Sequence, residues 1–264
     1  MGQEETAAIV VQPDDRRWLL TVARTVARPV ATYAPMSPLP QTRIPPELAH
    51  APLVVLHQDD HLLVFDKPAG LPSVPGRGES LQDCLSARAQ AIWPDARIVH
   101  RLDMATSGVL VMARGAAALR TLSLAFEQRR VRKHYEAVVA GIPADAAGTV
   151  DLPLICDWPN RPLQKVDAVE GKPSRTHWRR LDEPARDGSL PPGTCRLALE
   201  PVTGRTHQLR VHLLALGHPI LGDALYAPPH VQALSPRLLL HACRLELPHP
   251  GDGSMRVYAC PAPF

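Results

Sequence analysis

The sequence contains few aromatic residues and no long apolar run. Phe, Trp and Tyr make up only 4% of its 264 residues. No stretch approaches the roughly 18 consecutive apolar residues of a membrane span, so a transmembrane protein is excluded. At the N-terminus, Glu4 and Glu5 precede any basic residue, which is not the layout of a secretory signal. We therefore expect a cytoplasmic protein with no membrane partner.

Cysteine is scarce, and its placement excludes two kinds of site. The five cysteines are odd in number and widely separated, so neither a disulfide framework nor a C-x-x-C metal site is indicated. Free thiols are typical of a reducing compartment, which again favours the cytoplasm. The cysteines are Cys84, Cys156, Cys195, Cys243 and Cys260.

Proline, by contrast, is abundant, and it divides the chain. Much of the stretch 29–52 is proline-rich, which blocks regular structure, so we predict that residues 1–50 form an extended or poorly ordered arm. Residues 51–264 are predicted to form a single catalytic domain. Hydrophobic residues at 45% and charged residues at 21% are ordinary for a globular protein.

Within residues 51–264, short β-rich runs outnumber helical patterns. The runs LVVLH and HLLVFD indicate a hairpin, and helices are predicted to open at Ser80, over about 115–130 and over HQLRVHLLAL, which ends at Gly217. Strands and helices do not alternate as βαβ units. We therefore predict an α+β fold with a mixed, mainly antiparallel β-sheet and flanking helices.

Basic residues concentrate in the segment 97–139. It holds eight Lys or Arg residues against three acidic ones, although the whole chain carries a net charge of only +3. Such a local excess indicates a footprint for a polyanion, and its alternative is a solvated helix face.

A carboxylate in a loop is the first candidate for chemistry. Asp103 follows a predicted strand and precedes the small residues of MATSG, with Arg101 on the same side of the extended chain. A carboxylate with cationic neighbours stays ionised, which suits a nucleophile or base. The alternative is that Asp103 caps the loop and Arg101 makes a surface pair.

Two further segments combine basic residues with an aromatic ring or a helix start. Tyr135 follows Arg129, Arg130 and Lys133, a combination suited to RNA, although a tyrosine packed in the core is the alternative. In the string GRTHQLRVH, an arginine at a helix start is a suitable fixed partner for a carboxylate. The alternative there is a capped amphipathic helix.

The sequence offers little support for a metal or a phosphate loop. His207 and His212 are five residues apart, which does not give the helical H-x-x-x-H pair, and GRGES lacks the spacing of a phosphate-binding loop. His218 and Asp223 could be added as ligands, but the spacing of the four residues does not indicate a metal site. We expect no metal and no cofactor.

Taken in order, the motifs resemble the RluA family of RNA pseudouridine synthases. The matching strings are HRLDMATSG, KHYEAVV and GRTHQLRVHLLALGHPILGD, with KPAGL at 67 and RLLLHA at 237, and the resemblance covers about residues 53–264. DLPLICDWPNRP and GKP point to the dual-specificity members. The resemblance implies the fold of that family with a central active-site cleft. It also implies isomerisation of uridine in structured RNA, at uridine 32 of a tRNA anticodon stem-loop and uridine 746 of 23S rRNA.

The resemblance also assigns roles to residues. Asp103 matches the catalytic aspartate, Tyr135 the tyrosine that stacks on the target uracil, and Arg205 the arginine that pairs with the carboxylate. Arg101 matches the arginine near the flipped nucleotide, and Leu209 is expected beneath the pocket. The residues expected to bind RNA are Lys67, His100, Arg101, Arg129, Arg130, Lys133, His207, Leu209 and Arg210. No obligate protein partner is expected, and we predict a monomer.

Three alternatives are weighed against this function. The first is a synthase of the same family with a different rRNA or tRNA target. A non-catalytic RNA-binding protein on the same fold would tolerate loss of Asp103, and the intact motifs argue against it. A carboxylate-dependent hydrolase would need a second carboxylate or a metal cluster, and the sequence indicates neither.

Overall fold

The computed structural model describes residues 8–10, 21–23, 44–49, 51–181 and 190–264. The predicted N-terminal arm therefore lies mostly outside the described residues. Ala8–Val10 and Thr21–Ala23 pair as a small antiparallel hairpin. The predicted boundary between arm and catalytic domain stays a prediction.

The described residues form fourteen strands and four α-helices. The strands are β1 (Ala8–Val10), β2 (Thr21–Ala23), β3 (Val54–Gln58), β4 (Leu62–Lys67), β5 (Ala96–Ile98), β6 (Ser107–Arg114), β7 (Arg132–Ala140), β8 (Ala147–Asp151), β9 (Leu154–Cys156), β10 (Gln164–Val166), β11 (Arg175–Leu181), β12 (Thr194–Pro201), β13 (Leu240–Pro248) and β14 (Met255–Ala259). The helices are α1 (Leu85–Ile92), α2 (Gly115–Glu127), α3 (Gln208–Ala215) and α4 (Pro229–Gln232).

Ten of these strands form one sheet, in the order β3-β4-β6-β13-β7-β12-β11-β8, with β14 added to β13 and β5 added to β6. All neighbours are antiparallel except β6 and β13, which run parallel. The predicted mixed, mainly antiparallel sheet with few helices is thus confirmed. At the parallel contact Gly108 lies so close to the backbone of Ala242 that a Cβ there would overlap it.

The centre of the sheet is covered on both faces. Successive residues of β4 are completely buried, which an alternating strand with one solvated face would not show. Leu122 of α2 packs with Val64 on one face, and Leu85 of α1 packs with Phe65 on the other. The sheet is therefore a rigid platform for the loops at its ends.

One helix begins later than predicted. α1 starts at Leu85, and its N-cap is Cys84, whose Sγ accepts a hydrogen bond from the amide of Ala87 at 3.4 Å. Ser80 instead belongs to a 3₁₀ turn, because the amide of Gly76 donates to the carbonyl of Leu81 and closes that loop on itself. The predicted helices over 115–130 and over HQLRVHLLAL are confirmed as α2 and α3.

The helices of the described ranges are short. The longest, α2, has 13 residues, and none of them joins enough length to enough apolar character to cross a bilayer.

Candidate active site

Asp103 lies in the loop between β5 and β6, and the backbone on both sides of it is fixed. Ser73 Oγ donates to the carbonyl of Leu102 at 2.7 Å and accepts from its amide at 3.1 Å. On the other side, the carbonyl of Met104 accepts from the amide of Gly70 at 2.8 Å. The loop over residues 67–73 therefore fixes the main chain on both sides of Asp103.

Lys67 contributes to the same arrangement. Its side chain is completely buried, and Nζ donates to the carbonyls of Pro68, Leu71 and Met104 at 2.8, 2.8 and 3.1 Å. Burial lowers the pKa of Lys67 to about 7, while the charge of Asp103 opposes that shift. The expectation that Lys67 binds RNA is contradicted, because an enclosed amine with three protein acceptors has no face left for a ligand.

A buried arginine faces the aspartate. Arg210 lies in the first turn of α3, and its Nη1 is 3.6 Å from Asp103 Oδ2. The other edge of its guanidinium makes two hydrogen bonds to Asp223, at 2.8 and 2.5 Å. Both side chains are almost fully buried. Burial lowers the pKa of Arg210, but the bonds and charge of Asp223 and the charge of Asp103 outweigh it, so the net pKa is raised.

His207 and Tyr226 complete the wall beside Asp103. The amide of Gln164 donates to the hydroxyl of Tyr226 at 2.9 Å, and this hydroxyl lies 2.7 Å from His207 Nδ1. The other ring nitrogen of His207, Nε2, lies 3.9 Å from Asp103 Oδ2. Burial lowers the pKa of His207, Asp103 opposes the shift and Arg210 adds to it, so the imidazole is neutral at neutral pH.

Tyr135 is a further residue that interacts electrostatically with Asp103. Tyr135 is in β7, between Leu199 of β12 and Ala242 of β13, and packs against the buried clusters on both sides. Burial raises the pKa of Tyr135, and the charge of Asp103 raises it further, so the phenol stays neutral.

The arrangement suits a reaction that needs one ionised carboxylate. The side chain of Asp103 is 27% exposed, whereas that of Arg210 is only 4% exposed. Arg210 therefore lies behind the carboxylate as a fixed cation and leaves it accessible to a ligand. A substrate that reaches Asp103 would meet a base or nucleophile there, with the neutral phenol of Tyr135 nearby.

Comparisons with known proteins agree with this site. The family model described as RNA pseudouridylate synthase matches residues 61–215. The dual-specificity RNA pseudouridine synthase RluA of Escherichia coli strain K12 is 53% identical over 212 residues, which are 80% of this chain and 94% of that protein. The RluA of Yersinia pestis is 49% identical over 80% of this chain and its own full length.

Solved structures agree as well. Human RNA pseudouridylate synthase domain containing 1 superposes with a TM-score of 0.66 and 30% identity, over 81% of this chain and 84% of that one.

This chain belongs to the RNA pseudouridine synthases. It is an isomerase that converts uridine in RNA to pseudouridine, and the fold, the sequence and the relatives agree on that activity. The expected resemblance to the RluA family is thereby confirmed.

The synthase does not pair its aspartate with the arginine expected from the sequence. Arg205 is exposed, and its Nε donates to the carbonyl of Pro173 at 3.4 Å. Arg205 precedes α3, whereas Arg210 is within its first turn and faces Asp103. The assignment of the ion pair to Arg205 is therefore corrected to Arg210. The same burial rules out the expected direct RNA contact for Arg210.

The remaining predicted RNA contacts fall into two groups. Arg101, Arg129 and Arg130 are exposed and available to a ligand. Lys133 is half-buried and its Nζ donates to the carbonyl of Thr203 at 3.1 Å, while Leu209 lies in the core under α3. Burial and the charge of Arg129 lower the pKa of Lys133 to about 8. Leu209 is thus buried, and its expected place beneath the pocket stays a prediction.

His100 has a structural place instead of the expected contact with RNA. Its ring stacks on Phe126 with centroids 4.8 Å apart, and its Nε2 accepts a hydrogen bond from the amide of Val111 at 3.1 Å. Burial, followed by the charge of Lys133, lowers the pKa of His100 to about 3. The neutral ring therefore serves the packing of β6 against α2.

This environment predicts a pH-dependent stability. Between pH 3 and about 6.5 the unfolded chain binds a proton at His100 that the folded chain does not, so the free energy of unfolding falls as the pH drops through that range. We expect His100→Gln, whose amide oxygen can accept from Val111, to remove a slope of up to about 1.4 kcal/mol per pH unit. Urea unfolding at several pH values measures it. An unchanged slope in His100→Gln, or an equal change in the exposed His230→Gln control, would contradict this role.

Two residues of the site had no predicted role in the reaction. Asp223 was considered only as a possible metal ligand, and Tyr226 not at all. Both stand in the string GHPILGDALY, which follows α3. The string holds one acid, Asp223, among apolar residues. An acid in such a place is typically buried against a basic partner, here Arg210.

One group in the described part of the chain has the donor atoms for a metal. Possible ligand atoms of Asp66, His241 and Cys260 lie within 4.8 Å of one another. Both ring nitrogens of His241 are already engaged, by Ser107 Oγ at 2.8 Å and by the carbonyl of Cys260 at 3.0 Å. Burial, together with Asp66, raises the pKa of the Cys260 thiol to about 12. The donor set is thus a hydrogen-bonded network and does not fit an ion.

Proposed function

We propose that Asp103 is the catalytic carboxylate of the synthase and acts on a uridine extruded from its RNA and stacked on Tyr135. The position of the accessible carboxylate against buried Arg210 is the observation that supports this most strongly. Flipping a base out of its stack costs a few kcal/mol, and stacking on an aromatic ring returns about 1–3 kcal/mol.

The reaction has a simple balance of bonds. The bond between N1 of uracil and C1′ of the ribose breaks, the uracil rotates, and C5 joins C1′. The proton on C5 is lost and N1 ends protonated. Asp103 either attacks C1′ or removes a proton from the sugar, and in both roles the fixed cation of Arg210 lies behind the carboxylate that acts. Arg101, exposed two residues before Asp103, is proposed to enter the space that the flipped nucleotide leaves.

We propose two RNA targets, uridine 32 in a tRNA anticodon stem-loop and uridine 746 in 23S rRNA. The similarity to proteins named as dual-specificity synthases, with 45–53% identity over 80% of this chain, supports this. We also propose that the protein works as a monomer in the cytoplasm. Mapping pseudouridines in tRNA and 23S rRNA from cells with and without the gene tests the targets. Loss of pseudouridine at other positions alone would overturn them.

The stacking role of Tyr135 makes a separate prediction. Tyr135→Phe keeps the ring face and is expected to bind an RNA hairpin within about twofold of wild type, whereas Tyr135→Ala is expected to bind about tenfold more weakly. Titration of labelled RNA gives the Kd, and a thermal melt of each variant checks that it is folded. Equal losses of affinity in the two variants would show that stacking is not the role of this residue.

A further inference from the structure

Trp158 is an exposed aromatic residue that the chemistry of uridine does not use. The residue is 64% exposed, in a protein with only four tryptophans. The guanidinium of Arg161 lies over the ring, 4.4 Å from its centroid. An exposed ring of this size offers its face to a stacking partner such as a nucleic-acid base.

The loop that carries this pair is closed by its own hydrogen bonds. The amide of Asp157 donates to the carbonyl of Leu163 at 2.9 Å, and the amide of Asn160 donates to the carbonyl of Asp157 at 3.0 Å. Asn160 Nδ2 also donates to Asp157 Oδ2, and Arg161 Nε donates to the carbonyl of Trp158 at 3.2 Å. The ring and the guanidinium are therefore presented in a fixed geometry before any ligand arrives, which reduces the entropy cost of binding.

The same loop is attached to the active site. It connects β9 to β10, and Gln164, the first residue of β10, donates its amide proton to the hydroxyl of Tyr226. Leu163 packs on the small core formed by Tyr226 and Val211 of α3. Through Tyr226 and His207 the loop is two side chains away from Asp103.

Exposed cations occur in this segment, although residues 157–172 hold three acids, Asp157, Asp167 and Glu170, against Arg161, Lys165 and Lys172. Arg161, Lys172 and Arg205 are all exposed, and Arg205 donates to the carbonyl of Pro173, next to Lys172. Arg205, which does not reach the catalytic carboxylate, is thus placed to meet a phosphate. Basic groups beside an exposed ring are the arrangement that binds unpaired nucleotides, since phosphates take the charge and a base takes the ring face.

We propose that Trp158 and Arg161 form a subsite for an unpaired base that flanks the target uridine in the RNA. The ring of Trp158 stacks on that base, and Arg161 contacts its phosphate. The subsite selects RNAs in which such a base is free to leave its stack, so it sets substrate preference and leaves the chemical step to Asp103. This inference rests on the RNA-modifying activity of the chain.

The test compares Trp158→Ala, Trp158→Phe and the control Val169→Ala, whose side chain is 92% exposed after β10 in the same segment. We expect Trp158→Ala to raise KM for an RNA hairpin about tenfold with kcat little changed, Trp158→Phe to stay near wild type, and the control to be unaffected. A wild-type KM in Trp158→Ala would overturn the proposal, as would a loss confined to kcat.

Two further measurements separate this subsite from the catalytic proposal. In the first, a set of RNA hairpins each lacks the base at one unpaired position. At one of these positions, the loss of affinity caused by removing the base should not add to the loss caused by Trp158→Ala. Additive losses at every position would overturn the subsite. RNA should also quench tryptophan fluorescence less in Trp158→Phe than in wild type, a readout that holds even if the targets proposed above are wrong. Equal quenching would overturn the proposal.

Discussion

Asp103→Asn is expected to abolish pseudouridine formation while the variant still binds RNA. The amide is isosteric with the carboxylate and keeps the loop fixed by Ser73, Gly70 and Lys67, but it supplies neither a nucleophile nor a base. We expect turnover to fall by at least about 10⁴-fold. Removing a negative charge from an RNA cleft is expected to leave affinity equal or slightly higher.

A matched substitution controls for the loss of one acid. Asp60→Asn changes an exposed aspartate in the turn at the far end of β4, roughly 17 Å along that strand from Lys67, and should keep wild-type kcat and KM. Product is measured by digesting the RNA to nucleosides. Wild-type turnover in Asp103→Asn would show that another group performs the chemistry. It would favour the alternative in which the carboxylate only caps its loop.

Arg210→Met has the second largest expected effect, and it acts on both stability and rate. The substitution leaves Asp223 charged and buried without its partner, which costs about 3–5 kcal/mol of folding free energy. It also removes the fixed cation behind Asp103, and we expect kcat to fall by about 10²- to 10³-fold.

The double variant Arg210→Met with Asp223→Asn separates these two effects. The amide oxygen that Asp223→Asn introduces would still accept from the amides of Leu225 and Tyr226, as Asp223 Oδ1 does at 2.9 and 3.2 Å. We therefore expect urea unfolding to show most of the lost stability restored, while kcat stays low. Arg205→Gln should keep kcat. Full activity in the double variant, or a larger loss of kcat in Arg205→Gln, would return the pairing role to Arg205.

The sequence predicted the fold better than the contacts of the site. Alternating and apolar runs predicted the β3–β4 hairpin, α2 and α3, because hydrophobic period is local information. The start of α1 was misplaced because a capping pattern at Ser80 competes with a loop closed by Gly76 and Leu81, and that closure depends on the tertiary fold.

In the site, too, the sequence predicted the motif residues better than their contacts. Asp103 was found because a carboxylate in a loop after HRL is a recognisable motif. The pairing was assigned to Arg205 instead of Arg210 because the motif holds two arginines, and the resemblance does not show that Arg205 is exposed while Arg210 is buried against Asp103. Lys67 and His100 were predicted as RNA contacts because they stand in motifs, yet both satisfy buried backbone groups. A residue's place in a family motif therefore does not predict whether its side chain is exposed to a ligand.

The most direct measurement follows the hydrogen that the reaction must release. Wild-type protein, Arg205→Gln and Asp103→Asn are each mixed in excess with an RNA hairpin that carries tritium at C5 of the target uridine. Released tritium and pseudouridine are then counted together. Wild type and Arg205→Gln are expected to release one tritium for each pseudouridine formed, and Asp103→Asn is expected to release none. Tritium released by Asp103→Asn at the wild-type rate would contradict the central claim, that the carboxylate held against Arg210 carries out the isomerisation.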